Sequence, residues 1–246
     1  MPKFFVLPDK IKDGIITIET SDAAHIRRVL RLGTGDRITV CDSTGTDYEA
    51  QISAINDKAV ICEVIASHKN KSEPNISVTI YQALPKASKM EYIIQKNTEL
   101  GAVRIVPCAL SRCVVKLDGS DAEKKRSRWQ KIADEAAKQC GRGILPEITA
   151  VHTFSEAVKE MQASDLCFVP YECETNNRLR TVLTKSENPL SISFMIGPEG
   201  GFAPEEIDLI KAYKIPCITL GPRILRTETA AEAVLSMVMY ELGDIN

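Results

Sequence analysis

The sequence predicts an α/β protein in which a mainly parallel sheet, covered on both faces by helices, follows a small β-rich N-terminal segment. Three observations carry this. From residue 76 onward, short apolar runs alternate with stretches of helical periodicity, the rhythm of strand–helix–strand units. Before residue 70, short β-branched runs recur at close spacing with turn residues between them, as in a small barrel. No segment has the roughly 18 uninterrupted apolar residues of a membrane span. The N-terminal MPKFFVLPDKIKDG is too short and too quickly charged for a signal peptide, so the expected location is the cytoplasm.

In the first segment, strands are expected at residues 4–6, 15–18, 37–41, 48–55 and 59–65. Pro8-Asp9, Asp13-Gly14, Gly33 to Asp36, Ser43 to Gly45 and Asn56-Asp57 supply the turns. One helix interrupts them at residues 23–30, with Ser21 or Asp22 as its cap. Residues 68–75 are polar and aperiodic and read as a linker, which gives two expected domains, 1–70 and 75–246. In the second, strands are expected at 76–83, 103–106, 166–169, 192–196 and 217–220. Helices are expected at 86–100, 120–140, 154–161, 177–183, 204–213 and 228–242. Gly101 ends the first of these helices. Ligands of such sheets bind at the carboxyl ends of the strands.

Composition narrows the function less than charge placement does. A net charge of −2 excludes a grossly basic chain. Residues 1–73 carry −1, residues 74–143 carry +6 and residues 144–246 carry −7, so positive charge is concentrated mid-chain, around Lys124, Lys125, Arg126, Arg128 and Lys131. Such a run is a solvated helix face more often than a phosphate site. The eight cysteines form no Cys-x-x-Cys pair and the three histidines are scattered, so no metal site is expected. Cysteines inside apolar runs, such as Cys62, Cys167 and Cys217, read as small buried thiols.

Two segments stand out where a strand gives way to a helix. The first is Gly197-Pro198-Glu199-Gly200-Gly201-Phe202, in which glycines allow close backbone approach and a proline fixes direction. Taken as a generic glycine loop it reads first as a tight strand-to-helix turn, and neither the dinucleotide nor the Walker glycine pattern is present. The second is Leu220-Gly221-Pro222-Arg223-Ile224-Leu225-Arg226-Thr227-Glu228-Thr229-Ala230, with Thr227 as the expected helix cap. Alone, its charges would be surface ion pairs. Beside the first loop, at a neighbouring strand end, they form one wall of a site.

These two segments resemble the RsmE family, which methylates N3 of a uracil in 16S ribosomal RNA (position 1498). Other pieces agree in order: His25-x-x-x-Val29-Leu30-Arg31, Gly35-Asp36, Lys86, Lys96-Asn97-Thr98-Glu99-Leu100-Gly101, Ile105-x-Pro107, Arg112, and Glu135-Ala136-x-x-Gln139-Cys140-x-Arg142. The likeness spans nearly the whole chain. It implies a PUA-like N-terminal β-barrel and a SPOUT-type parallel sheet with a C-terminal trefoil knot, a rare exception to the rules of chain threading. It also implies a homodimer acting on 16S ribosomal RNA or the 30S subunit, and S-adenosylmethionine as cofactor.

The cofactor would lie against Gly197, Pro198, Glu199, Gly200 and Gly201 on one side and Leu220, Gly221, Ile224, Leu225, Arg226 and Thr227 on the other. Arg226 is expected to stabilise the developing uracil anion. Glu228 is the second candidate catalytic group; it is read first as orienting Arg226 or the helix, because a carboxylate is a poor base for so weak an acid. The target base must be turned out of its RNA. His25, Arg27, Arg28 and Arg31, then Lys86, Arg112 and Arg142, are the candidate RNA contacts. Two other readings keep part of this picture: a related methyltransferase with a different RNA target, and an RNA-binding assembly module without catalysis.

Overall fold

The computed structural model describes residues 1–185 and 188–245. It divides into two compact units, Met1–Glu73 with Ala137–Leu145, and Pro74–Ala136 with the chain from Pro146 onward.

The first unit is one six-stranded sheet. In chain order its elements are β1 (Lys3–Phe5), β2 (Ile11–Lys12), β3 (Ile15–Glu19), α1 (Thr20–Ala24), β4 (Arg37–Cys41), β5 (Thr46–Ile55) and β6 (Ala59–Lys69). The strand order is β1-β4-β5-β6-β3-β2, with β1 parallel to β4 and the other neighbours antiparallel. Among the described residues the edge strands β1 and β2 do not pair, yet Phe4 and Val6 share one apolar core with Ile16, Ile18 and Ile26. The sheet therefore curls round its core without a complete hydrogen-bonded ring.

Two expectations need correction here. The helix begins at Thr20, with Glu19 in the cap position and no side-chain cap, and it widens into a π-helical turn over His25–Leu30. Arg31 ends that turn in the left-handed region, at φ 55°. The expected linker is also partly strand: His68 and Lys69 pair with Asp47 and Thr46, and the buried Asn70 donates to Asp47 Oδ2 (2.7 Å).

The segment 137–145 belongs to this unit because Glu73 pins it. The Glu73 carboxylate accepts hydrogen bonds from Arg142 Nε (3.2 Å) and Nη2 (2.8 Å) and from the amides of Gly143 (2.7 Å) and Ile144 (2.9 Å). The Gly141 carbonyl accepts from Lys3 Nζ and Asn70 Nδ2.

The second unit is a parallel sheet. Its elements are β7 (Ser77–Ala83), α2 (Lys89–Glu99), β8 (Arg104–Ala109), α3 (Gly119–Cys140, its last residues counted with the first unit), β9 (Glu147–Ile148), β10 (His152–Thr153), α4 (Phe154–Met161), β11 (Leu166–Pro170), α5 (Leu179–Leu183), β12 (Ser191–Ile196), α6 (Pro204–Ala212), β13 (Cys217–Ile218) and α7 (Thr227–Leu242). The order is β10-β8-β7-β12-β11-β13, with β9 also on β8, and every pairing is parallel. Residues 192–196 of the central β12 are all buried, as expected of a strand covered on both faces. Phe194 stacks on Phe168 of β11 at 5.7 Å.

The apolar face of α7 (Val234, Leu235, Val238, Met239) packs against α2, α5, β7 and β12. Gly101 has φ +101°, and a Cβ there would press on Pro74 and Met239, so glycine is required where α2 stops.

Among the described residues no helix is long and apolar enough to cross a membrane, and no cluster of three or more His, Cys, Asp or Glu could hold a metal. Cys41, Cys62, Cys108 and Cys113 are buried thiols; Cys167 and Cys217, expected to be buried, are only half-buried, and Cys173 is exposed. Burial pushes the Cys62 thiol up to about 11.

Candidate functional site

Strand β12 ends at Ile196, and its chain turns through residues 197–203 into α6. The turn closes with the Gly201 amide donating to the Pro198 carbonyl (2.9 Å), which places Gly201 at φ +68°; a Cβ there would also collide with the Glu172 carboxylate. Glu206 anchors the loop from behind. It is buried, and its two oxygens accept from two different segments, the Ala203 amide (2.8 Å) and the Ser111 amide (2.8 Å). Next to Ser111, Arg112 donates from Nη1 to the Gly200 carbonyl (3.0 Å). A buried carboxylate thus fixes both the glycine turn and the arginine that braces it.

The second loop, residues 219–226, leaves β13 and enters α7. It does not start from a neighbouring strand, as expected, because β11 lies between β12 and β13. The loop instead returns across the strand ends and meets the first loop at the head of α7. There Thr227 Oγ1 donates to the Gly197 carbonyl (2.8 Å) and accepts from Gln82 Nε2 (2.9 Å). The cap of α7 is Arg226, in extended conformation at φ −67° and ψ 155°; Thr227 is the first helical residue, and its hydroxyl serves the loop. Gly221, at φ +101°, has open space where a side chain would stand.

Gln82 is a site residue that the motif reading does not include. It is 0 % exposed at the carboxyl end of β7. Its amide nitrogen serves Ala83 and Thr227, which leaves Oε1 buried without a hydrogen-bond donor. A buried orphan acceptor signals a place for a donor group.

Lys89, the first residue of α2, was also overlooked. Its ammonium reaches Glu199 Oε1 (3.0 Å) and Glu228 Oε2 (3.1 Å), and so joins the two loops. Glu199 also accepts from the Lys86 amide (3.2 Å). Burial opposes the charged form of Glu199. Its own backbone amide, the Lys89 ammonium and the Lys86 amide outweigh that and hold its carboxyl below the usual range. The same two carboxylates, Glu199 first and then Glu228, raise the Lys89 ammonium above its ordinary value. The Glu228 contact is an ion pair out of line for a hydrogen bond, since Oε2 is buried without a directional donor.

The signals were present in the sequence. A lysine opening a helix faces the positive end of the macrodipole and needs acidic partners. A glutamine in a buried apolar strand needs a bonding reason.

The other expected site residues divide. Gly197 to Gly201 and Leu220 to Thr227 meet at the Thr227–Gly197 contact. Leu220 and Leu225 pack partly into the core, and Ile224 is 87 % exposed. Arg226 is exposed and has no ion pair among the described residues, and its expected orienting partner Glu228 pairs with Lys89 instead.

In the first unit, His25, Arg28 and Arg31 are exposed on the π-helical turn and its end. Arg27 is committed to the 56–57 turn, with Nη1 on the Asn56 carbonyl (3.0 Å) and on Asp57 (3.1 Å). Arg142 is 2 % exposed in its Glu73 pair, so the expectation of an RNA contact there is corrected to a structural ion pair. Lys86 and Arg112 are exposed beside the glycine loop.

Comparison with known proteins adds to this geometry. A family model described as an RNA methyltransferase domain matches residues 71–239, and one described as an RNA methyltransferase PUA domain matches residues 18–65. The ribosomal RNA small subunit methyltransferase E of Bacillus subtilis is 37% identical over 92% of this chain and 90% of its own length. That of Synechocystis is 32% identical over 96% of this chain and 76% of its own. The crystal structure of the Neisseria gonorrhoeae protein of the same name, bound to S-adenosyl methionine, superposes with a TM-score of 0.87. It is 29% identical and covers 100% of both chains.

Proposed function

The chain belongs to the ribosomal RNA small subunit methyltransferase E family, and from that premise we propose that it methylates N3 of a uracil in 16S ribosomal RNA with S-adenosylmethionine. The observation that carries the reading is the junction of the two strand-end loops at Gly197 and Thr227, with the orphan Gln82 acceptor beside it.

The residues fit the cofactor's chemistry. Gly197, Gly200, Gly201 and Gly221 present backbone without side chains, and Gln82 Oε1 needs a donor. Pro198, Glu199, Leu220, Ile224, Leu225, Arg226 and Thr227 complete the lining. When bound, S-adenosylmethionine supplies an electrophilic methyl on a sulfonium.

The rest falls to the protein. Uracil N3 carries a proton at neutral pH and becomes a nucleophile as that proton leaves to solvent. The negative charge then spreads to the flanking carbonyl oxygens. Arg226, exposed and without an ionic partner among the described residues, donates to one of those oxygens and stabilises the anion. Rigid loops align the base, because Thr227 and Glu206 bond their backbone while Gln82 and Lys89 hold side chains at their junction.

The RNA is held elsewhere. His25, Arg28 and Arg31 on the first unit, with Lys86 and Arg112 on the second, contact phosphates while the target base is turned out. Residues 1–70 serve as the PUA-like RNA-binding domain and 75–246 as the methyltransferase domain, except that 137–145 complete the first unit. The return of residues 219–226 past β11 supports a C-terminal trefoil knot. Tyr92, Met237 and Tyr240, large apolar side chains exposed on α2 and α7, support a homodimer through that face. The enzyme works in the cytoplasm on the 30S subunit or its RNA, without a metal.

Mass spectrometry of ribosomal RNA nucleosides from a deletion strain tests the activity: 3-methyluridine disappears and returns on complementation. Its retention in the deletion strain overturns the reading.

A further inference from the structure

We propose that Lys89 is a positioning residue for methyl transfer, which keeps the Arg226 guanidinium free for the uracil by holding the carboxylate of Glu228. The inference rests on the role given to Arg226 above.

Lys89 stands at the positive end of α2, where a cation is disfavoured unless acidic groups compensate. Two do so, one from each wall of the site: Glu199 at 3.0 Å and Glu228 at 3.1 Å. They depend on the lysine unequally. Glu199 has a second donor in the Lys86 amide, whereas Glu228 Oε2 is buried with no directional donor, and the Lys89 ammonium is its ion-pair partner.

Glu228 is also two residues from Arg226, in the first turn of the helix that Arg226 caps. Arg226 is extended, outside the helical repeat that would turn positions i and i+2 apart, and its flexible stem carries the guanidinium to a Glu228 carboxylate left without a partner. Such a pair would neutralise the guanidinium that has to meet the uracil oxygen. By occupying Glu228, Lys89 prevents it. The lysine itself touches neither base nor reacting atoms.

The test uses the full-length protein, small ribosomal subunits lacking the modification, and S-adenosylmethionine. Lys89→Met lowers kcat and kcat/KM together, on the order of 10- to 100-fold, as expected when a transition-state donor is lost. Calorimetry finds its cofactor Kd within about threefold of wild type, because a uniform binding role would move KM instead.

Second-site changes discriminate further. Lys89→Met with Glu228→Gln recovers about tenfold of the lost rate, since no carboxylate remains to capture Arg226. Lys89→Met with Glu199→Gln relieves carboxylate repulsion equally but leaves Glu228 charged, and recovers nothing.

Equal recovery in both doubles, recovery in neither, or a cofactor Kd rising in step with the fall in kcat overturns the proposal. A crystal structure of Lys89→Met tests it independently of turnover. An Arg226–Glu228 ion pair supports the proposal and its absence overturns it, even if the wild type proved not to methylate uracil at all.

Discussion

The two ends of the proposed RNA path handle charge in opposite ways. At the loop junction of the second unit, polar groups are tied to one another: Lys89 to Glu199 and Glu228, Thr227 to Gly197 and Gln82, and Glu206 to Ala203 and Ser111. On the π-helical turn of the first unit, His25, Arg28 and Arg31 stand in solvent. The difference matches the work asked of each. Chemistry at a small atom needs fixed geometry, while holding a polyanion needs charge that can adjust. Arg226 combines the two, since its backbone is fixed as the cap of α7 and its guanidinium is left open.

Substitutions break or sharpen this contrast. The largest effect comes from a cation that resembles the open ones only in sequence. Arg142→Met strands the buried Glu73 carboxylate and destabilises the protein by about 3–5 kcal/mol in denaturant unfolding, with no RNA-specific effect beyond that loss.

Arg226→Ala lowers kcat by roughly 10²–10³ while calorimetric cofactor affinity holds. An equal loss of both would mean that Arg226 shapes the pocket.

Thr227→Val removes the hydroxyl between Gly197 and Gln82, so the part-buried Gly197 carbonyl loses this donor and Gln82 Nε2 keeps only the Ala83 carbonyl, costing about 1–3 kcal/mol of stability along with cofactor affinity.

Arg28→Gln with Arg31→Gln weakens RNA binding by about tenfold and lowers its salt dependence by about two charges, without touching cofactor Kd. An unchanged salt slope would move the RNA contact elsewhere.

The smallest effect is in pH. The Glu199 carboxyl lies lower in the folded protein than in the unfolded chain. Its contribution is present above the unfolded carboxyl value and is lost as pH falls through the lower folded one. Glu199→Gln therefore lowers stability slightly at neutral pH, where the contribution is present, and flattens the acid limb, so that the two stability-against-pH curves converge below the folded carboxyl value.

The legible part of the fold was its periodic part. Residues 37–41 and 154–161 form the elements their patterns predict, and β12 shows the continuous burial its apolar run implies. What stayed hidden depends on long-range placement. Nothing in residues 217–220 says that β13 joins the sheet beyond β11, and nothing around Arg142 says that its partner is Glu73, 69 residues earlier. The Thr227 hydroxyl, which local rules assign to the helix cap, goes to Gly197 because tertiary contact outcompetes the local bond. Lys89 and Gln82 were readable only as residues in uncomfortable places, and such discomfort is a usable clue to a site.

The excursion of residues 137–145 has a consequence for biosynthesis. Until residue 145 has emerged from the ribosome, Glu73 lacks the guanidinium and two amides that satisfy it, and Lys3 and Asn70 lack the carbonyl of Gly141. The nascent N-terminal sheet must therefore wait, incomplete, while about its own length again is translated. A gene fragment cut after Glu73 would encode a domain deprived of its closing strap.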